Sequence, residues 1–319
     1  MKKIIVILIT LLLLGSYLIA HEVSFYYTSQ DHQRYFHLND MRLCWTGDNY
    51  VTSLNIKGLT ENNPPKLAIN QAWASINLFE TFYSYFKKYP WIIGKVSFGK
   101  MYYDFGAYPK TPSKQIGIHV PYNYFQGDSH DDFNSDIMVK LSVDWCSAHY
   151  FSFYWADMGT PPEYATIDWP STIGFRAQTN YIENLRLGAS IRARKAFKDD
   201  RLLDYGVDVC YRLGDMVKFD LQGYNLDDDN SDTDDIHLWG TVTYEKGFIA
   251  PLVKHIRPYI GYFSKNEMKD FNFVAGINMK PMESAYMKLE YNYDSMDKAD
   301  DDFDGFFGNA LTFEFGFLF

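Results

Sequence analysis

The residue pair with the clearest capacity for acid–base chemistry is Asp235 and His237, in the segment DDIHL. Their side chains point to the same side because they are two residues apart on an extended chain. An aspartate beside a histidine can orient the imidazole, which then activates a water molecule. Acids of the segment SHDDFNSD are the conceivable partners, but no matching acid pair is recognisable. The preferred interpretation is a strand histidine beside an acidic loop.

A cation site is the second possibility, in the segment DDDFDG. Asp300, Asp302 and Asp304, followed by Gly305, match the start of a calcium loop, in which alternate carboxylates converge and glycine permits a sharp turn. The twelfth position of such a loop is Leu311, where a glutamate is required. We therefore expect no metal and no cofactor, with calcium at these aspartates as the alternative.

Charged residues lie on the polar face of three neighbouring strand-like segments, and a lysine lies in an earlier one. They are Arg176, Arg186, Arg192, Arg194, Arg212, Asp204, Asp208 and Lys140. If this face lines a water-filled pore, arginines that face acids across it set a transverse field and favour anions. The alternative is that these residues pair with one another and solvate a narrow interior.

The elements that must position these residues are β-strands. Apolar and polar side chains alternate without exception in NLRLGASIRARK, residues 184–195, as in a strand with one apolar face. About sixteen segments follow this pattern, with fourteen or eighteen also acceptable. The fifth of them is QIGIHVPYNYF, residues 115–125. A short helix in ETFYSYFKKYPW, between the third and fourth segments, would change the number of strands.

The composition indicates strands that cross a membrane. Aromatic residues make up 18% of the chain, yet its mean hydropathy is −0.29 and no apolar run beyond the amino terminus is long enough for a membrane helix. Alternation dilutes the hydrophobicity, as in lipid-facing strands with aromatic girdles. The connections between the predicted strands are also alternately long and short, as in an antiparallel up-and-down transmembrane β-barrel.

Residues 1–20 form a predicted signal peptide. Lys2 and Lys3 precede an apolar run at 4–14, and cleavage is expected after Ala20, with an uncleaved anchor as the alternative. Residues 21–319 are then a single exported domain. Its three scattered cysteines, Cys44, Cys146 and Cys210, do not suggest a disulfide framework.

The carboxyl terminus, NALTFEFGFLF, has an apolar residue at every second position. Its signature residues are Phe313, Phe315, Phe317 and Phe319. This resembles the carboxyl-terminal signature of bacterial outer-membrane β-barrel proteins. The resemblance implies recognition by the barrel-assembly machinery, pairing of the last strand with the first, and a surrounding of membrane lipid and lipopolysaccharide.

An early pair of segments is similar to porins, which often carry a Gln- or Glu-Ala-aromatic strand followed by a Gly-basic strand that ends in an aromatic-x-Gly turn. The matching residues are Gln71, Ala72, Trp73, Gly94, Lys95, Gly99, Lys100 and Gly106. The Pro-Glu-Phe-Gly-Gly motif of the general trimeric porins is absent, so neither a third-loop constriction nor trimerisation follows from the resemblance. Asp235 and His237 are similar to the Asp-x-His half of the omptin proteases, which have fewer strands.

These observations predict a bacterial outer-membrane channel of the porin type for passive diffusion of small hydrophilic solutes, with a mild anion preference and no enzymatic activity. An omptin-like surface hydrolase and a structural or adhesive barrel are the alternatives. The net charge of −10 and the lack of a basic patch argue against nucleic acid as a partner. The solute, the pore radius and the choice between monomer and trimer do not follow from the sequence.

Overall fold

The computed structural model describes residues 19–30, 33–46, 50–59, 66–78, 91–106, 135–157, 172–195, 201–226, 235–250, 253–265, 270–294 and 310–318. Nearly all of these residues lie in strands. The strands are β1 (Ile19–Gln30), β2 (Gln33–Thr46), β3 (Tyr50–Leu59), β4 (Lys66–Asn77), β5 (Ile92–Tyr102), β6 (Ser135–Trp145), β7 (His149–Asp157), β8 (Thr172–Thr179), β9 (Leu185–Lys195), β10 (Arg201–Leu213), β11 (Val217–Leu226), β12 (Asp235–Tyr244), β13 (Phe248–Ala250), β14 (Val253–Lys265), β15 (Asp270–Met282), β16 (Ala285–Asp294) and β17 (Ala310–Leu318).

These described strands form one sheet in which neighbours along the chain pair antiparallel. β13 has three residues and pairs with β14, while β12 pairs with β14 directly. β1 pairs with β2 on one side and with β17 on the other, where Glu22 lies opposite Leu318 and Ser29 opposite Leu311. The first and last strands are therefore hydrogen-bonded to each other.

The sheet exposes its apolar face and buries its polar face, which is the reverse of the arrangement in a soluble protein. On β10, Val207 is 61% exposed, whereas its neighbour Asp208 is 2% exposed. A soluble sheet buries its apolar face, because removing apolar surface from water is favourable. An exposed apolar face is expected where lipid surrounds the sheet and the strands pair all their backbone groups. We call the exposed apolar side the outer face and the buried polar side the inward face.

The connections have different lengths at the two ends of the strands. At one end, β6 and β7 are separated by residues 146–148, β10 and β11 by 214–216, and β15 and β16 by 283–284. At the other end, β7 and β8 are separated by 158–171, and β16 and β17 by 295–309. The alternation expected from the sequence is therefore present. None of the described residues forms a helix long and apolar enough to span a membrane.

The strand assignment of the described residues differs from the sequence prediction in two places. β1 was not predicted, because its segment follows the apolar run of the signal peptide and its alternation is broken. Residues 248–250 were expected in a connection but form β13. The segments at 115–125 and 80–90 lie outside the described residues, and β5 pairs directly with β6 over their full lengths.

Tyrosines on the inward face lie over glycines of the neighbouring strand. Four directly opposed pairs have this arrangement: Tyr154 with Gly174, Tyr224 with Gly206, Tyr259 with Gly276, and Tyr286 with Gly316. A Cβ built on any of these glycines would overlap the opposite ring or contact it too closely. Glycine therefore lets each ring lie flat on the sheet, which covers the exposed backbone and fixes the register.

The last strand has the two faces that its sequence predicts. Leu311 and Phe317 on the outer face are exposed, whereas Thr312 and Glu314 on the inward face are buried. The rings of Phe313, Phe315 and Phe317 follow one another along the outer face, with centroids about 6 Å apart. Phe319, the last predicted signature residue, lies outside the described residues.

Candidate functional site

The chain turns onto the inward face where β5 ends. Residues 103–106, which we call the inward segment, follow β5 directly, and Gly106 has a φ of +70°, a conformation that favours glycine. The Gly106 amide donates a hydrogen bond of 3.1 Å to Oγ of Ser190 on β9. A side chain at Gly106 would overlap Tyr224 on β11. The inward segment therefore reaches strands that are not neighbours of β5 in the sheet.

Aromatic contacts hold the inward segment against the sheet. The ring of Tyr103 lies 5.7 Å from that of Tyr154, and the ring of Phe105 lies 5.4 Å from that of Tyr224. All four side chains are buried. Both partner tyrosines belong to the Tyr–Gly pairs, so their positions are already fixed by the sheet. The inward segment is thus packed on a rigid surface.

Asp104 anchors the beginning of the inward segment. Its Oδ2 accepts a hydrogen bond of 2.5 Å from the hydroxyl of Tyr150 on β7. Nζ of Lys140, on the inward face of β6, lies 3.9 Å from the same oxygen. Lys140 therefore lies beside the inward segment, and its charge is partly offset by Asp104.

Arg192 on β9 joins the inward segment to the charged residues of the sheet. Its Cζ lies 5.3 Å from the ring centroid of Tyr103 and 4.9 Å from that of Phe105. Its Nε donates a hydrogen bond of 2.7 Å to Oδ2 of Asp204, and its Nη2 is 2.5 Å from the same atom. A guanidinium can stack on aromatic rings while its edge binds a carboxylate. Arg192 is thereby enclosed and only 3% exposed.

Asp204 on β10 is shared by two arginines. Besides Arg192, it accepts hydrogen bonds from Nε and Nη2 of Arg194, at 2.9 and 3.2 Å. Asp204 is fully buried, whereas the side chain of Arg194 remains 19% exposed. One carboxylate cannot neutralise two guanidiniums, so one positive charge at this point is not balanced by Asp204.

Arg176 on β8 is paired with an aspartate two strands away. Its Nη1 lies 2.8 Å from Oδ2 of Asp208, and its Nη2 donates to Oδ1 at 3.1 Å. Nη1 also donates to Oγ of Ser190 at 2.8 Å. Gly188 lies between the two strands, and a side chain there would overlap the carboxylate of Asp208. Glycine thus makes room for an ion pair that crosses β9.

A second shared carboxylate lies nearer the end of the strands with short connections. Asp220 on β11 is 2.7 Å from Nζ of Lys218 and 3.7 Å from Nη2 of Arg186. Asp220 is nearly buried, but both basic side chains are partly exposed. Arg212 is 56% exposed and lies 3.5 Å from Glu245, so it belongs to a separate ion pair.

The aspartates have the second of the two arrangements that the sequence left open. Asp204 and Asp208 do not face the arginines from across a pore but pair with them. They contact arginines of the same part of the sheet, because residues on adjacent strands of one face are within reach of long side chains. Five basic side chains surround three carboxylates, and we call this set the arginine wall: Arg176, Arg186, Arg192, Arg194 and Lys218 with Asp204, Asp208 and Asp220.

Acidic residues of another part of the sheet form a second charged group. The hydroxyl of Tyr259 donates to Glu290 at 2.7 Å, and that of Tyr286 donates to Glu314 at 3.0 Å. Nζ of Lys288 lies 3.1 Å from Oε2 of Glu314. One lysine thus accompanies two glutamates on β16 and β17.

The histidine of the predicted acid–base pair is buried. His237 lies on the inward face of β12, opposite Tyr224 in the register, and is 3% exposed. Asp235 is the first residue of β12, and its side chain is outside the described part of the chain. The possible calcium ligands Asp300, Asp302 and Asp304 also lie outside it. Within the described residues, no group of His, Cys, Asp or Glu side chains could hold a metal ion.

The sequence alone did not reveal the inward segment, Lys218 or Asp220. The porin resemblance predicts the turn at Gly106 but not the packing of the inward segment, because YDFG does not match the Pro-Glu-Phe-Gly-Gly motif. The signal that was available is the pair Asp104 and Gly106, which ends the strand alternation after β5. Lys218 and Asp220 alternate with apolar residues on β11 as the predicted arginines do on their strands, and this alternation is the signal that could have revealed them.

Comparison with known proteins gives matches in structure only. No protein-family model matches, and no curated protein matches significantly. An anion-selective porin from Comamonas acidovorans has a TM-score of 0.60 and 10% identity, covering 95% of this chain and 98% of that one. A variant of the Rh. blastica porin has a TM-score of 0.55 and 13% identity, covering 95% and 99%. The fold is that of outer-membrane β-barrel proteins.

A third structure with the outer-membrane β-barrel fold is OmpT, an outer membrane protein of Vibrio cholerae. Its TM-score is 0.54 at 14% identity, covering 94% of this chain and 95% of that one. The similarity therefore extends over nearly the whole length of each chain. At such identities it establishes the architecture, and the inward-facing residues of this chain must be interpreted from their own contacts.

Proposed function

We propose that this chain is a porin-type channel of the bacterial outer membrane, which lets small hydrophilic solutes diffuse passively and mildly favours anions. The observation that carries the proposal is the arginine wall, where five basic side chains share three carboxylates on the inward face. An excess of positive charge on a pore lining concentrates anions and repels cations. An anion-selective porin is also among the structures that share the fold.

The proposal includes a closed barrel of about sixteen full-length strands. Pairing of every strand with its neighbour, and of β1 with β17, supports closure. β13 is short and lies beside β14, so it adds no further strand to the circumference. In lipid, an open edge would leave backbone groups unpaired at a cost of several kcal/mol each, so closure is favoured physically. The interior of this barrel is the lumen.

The inward segment is proposed to narrow the lumen. It crosses from β5 toward β9 and β11 and is held by Ser190, Tyr154 and Tyr224. In a ring of about sixteen strands, β8 and β17 are half a circumference apart. Glu290 and Glu314 would then face the arginine wall across the lumen, and they would supply the acidic side of the transverse field that was expected of Asp204 and Asp208.

Channel function is proposed in preference to a surface hydrolase. A general base must reach a water molecule and its substrate. His237 lies on the inward face but is buried there. Membrane lipid, lipopolysaccharide and the barrel-assembly machinery are the proposed partners, since the outer face is apolar and the last strand carries the predicted terminal signature. A structural or adhesive barrel would have the same outer face, and only transport separates it from a channel.

Recording from single molecules in a planar lipid bilayer tests the proposal. The refolded protein, identified by its heat-modifiable band on a gel, should produce discrete open steps of current. A folded barrel that inserts but conducts no ions would refute the channel and leave the fold intact. In that case, hydrolysis of peptide substrates by the wild type and by His237→Ala would examine the enzymatic alternative.

A further inference from the structure

The basic residues at the two ends of the arginine wall differ in how many hydrogen bonds they make to carboxylates. Arg192 is enclosed by two rings and a carboxylate, and Arg194 makes two hydrogen bonds to Asp204. Arg186 has no such bonds. Its closest approach to Asp220 is 3.7 Å, which is beyond hydrogen-bonding distance.

We infer that Arg186 and Lys218 form a binding site for a small oxyanion such as inorganic phosphate or sulfate. The inference rests on the proposed function, since the anion would reach the site through the lumen. Asp220 is the only carboxylate in contact with either base among the described residues, and Lys218 is at 2.7 Å from it. One positive charge therefore remains beside Arg186.

The guanidinium of Arg186 has hydrogen-bonding capacity that the described residues do not use. Its Nε is buried and has no hydrogen-bond partner among the described residues. A buried donor without a partner is costly, and its usual explanation is a water, an ion or a ligand. The side chains of Arg186 and Lys218 are 31% and 22% exposed, whereas that of Asp220 is 7% exposed. The two basic side chains are therefore more accessible than the carboxylate that they share.

The register brings these residues together, with Arg212 directly opposite Lys218 and paired with Glu245. Cys210 on β10 lies directly between Arg186 and Asp220, and it is the only side chain that separates them in that row of the inward face. A planar guanidinium offers two parallel donors to an oxyanion, and an ammonium adds a third. This arrangement fits a tetrahedral oxyanion better than chloride, which has no oxygens to match the fork.

Calorimetric titration of the refolded protein in detergent micelles tests the site without requiring conductance. Inorganic phosphate is added at constant ionic strength, with chloride as the comparison anion. Wild type should bind phosphate saturably, and Arg186→Gln and Lys218→Gln should each weaken the affinity by about tenfold or more. Lys280→Gln, which removes an inward-facing lysine of β15, should leave the affinity unchanged.

Asp220→Asn should change the phosphate affinity in the opposite direction. Removing the carboxylate frees both bases, so phosphate affinity should rise several-fold, whereas an ion pair that only supports the sheet predicts no gain. Equal binding by all variants, or no saturable binding by wild type, would overturn the inferred site. A protein that conducts without binding phosphate refutes this inference alone, and one that binds phosphate without conducting refutes only the channel.

Discussion

The guanidinium of Arg192 lies 2.5 Å from the carboxylate of Asp204 on the adjacent strand, and neither side chain is accessible to solvent. Arg192 also packs between Tyr103 and Phe105 of the inward segment. One arginine thus connects the sheet, its charged wall and the segment that crosses its inward face. Arg192, which was predicted to line a pore, thus holds the inward segment in place through these contacts.

Asp204→Asn should destabilise the protein strongly. Removing one partner of a buried ion pair costs about 3–5 kcal/mol, and here two arginines lose their carboxylate. Unfolding in urea, followed by tryptophan fluorescence in lipid vesicles, measures the change. Asp220→Asn is the matched control and should cost about 0–1 kcal/mol, because the bases around it are partly exposed. Equal losses of stability for the two variants would mean that the ion pairs of Asp204 stabilise the fold no more than those of Asp220.

Gly174→Ala should also destabilise the fold, by about 1–3 kcal/mol, because the added methyl overlaps the ring of Tyr154. The same urea titration reports this change. Gly223→Ala serves for comparison, since its methyl meets only the end of Leu238 at 3.3 Å. In the double variant Gly174→Ala with Tyr154→Ala, the two losses should not add. Additive losses would show that the ring does not rest on this glycine.

Phe105→Ala should increase the single-channel conductance. The substitution removes the ring contacts of the inward segment with Tyr224 and Arg192, so the segment is held less firmly across the lumen. Planar bilayer recordings measure the step size. Phe98→Ala removes the same ring from the outer face of β5 and should leave the step size unchanged. A conductance unaffected by Phe105→Ala would argue that the inward segment does not narrow the path.

Val207→Lys should prevent or weaken insertion into lipid. Val207 lies in the middle of β10 on the outer face, where a charged side chain costs about 2–4 kcal/mol at the bilayer midplane. Folding yield in vesicles, judged by heat-modifiability, gives the readout. Val207→Leu keeps the site apolar and should fold like the wild type. If lysine is tolerated as well as leucine, the outer face does not lie in lipid.

Strand alternation was enough to predict the faces of most strands. It assigned Arg176, Arg192 and Asp208 to the buried face and Val207 to the exposed one, because a period of two leaves no freedom once a strand is recognised. Alternation could not show which charges pair. Asp208 reaches Arg176 across Gly188, and that contact depends on register and on a missing side chain, neither of which is local in sequence.

The packing position of the inward segment could not be predicted for a related reason. Its position depends on contacts between residues 103–106 and side chains far away in the sequence, such as Ser190 and Tyr224. A short segment without periodicity carries no local signal of where it packs. β1 was missed for a different reason, since the apolar run before it concealed where the strand begins.

The arginine wall should make this barrel an anion-favouring channel. The reversal potential in a planar bilayer under a potassium chloride gradient tests it most directly, with wild type compared to Arg186→Gln combined with Arg194→Gln. Both side chains are partly exposed, so their charge should act on ions in the lumen. We expect wild type to favour chloride and the variant to lose most of that preference. A wild type that favours potassium, or a variant with an unchanged reversal potential, would contradict the account.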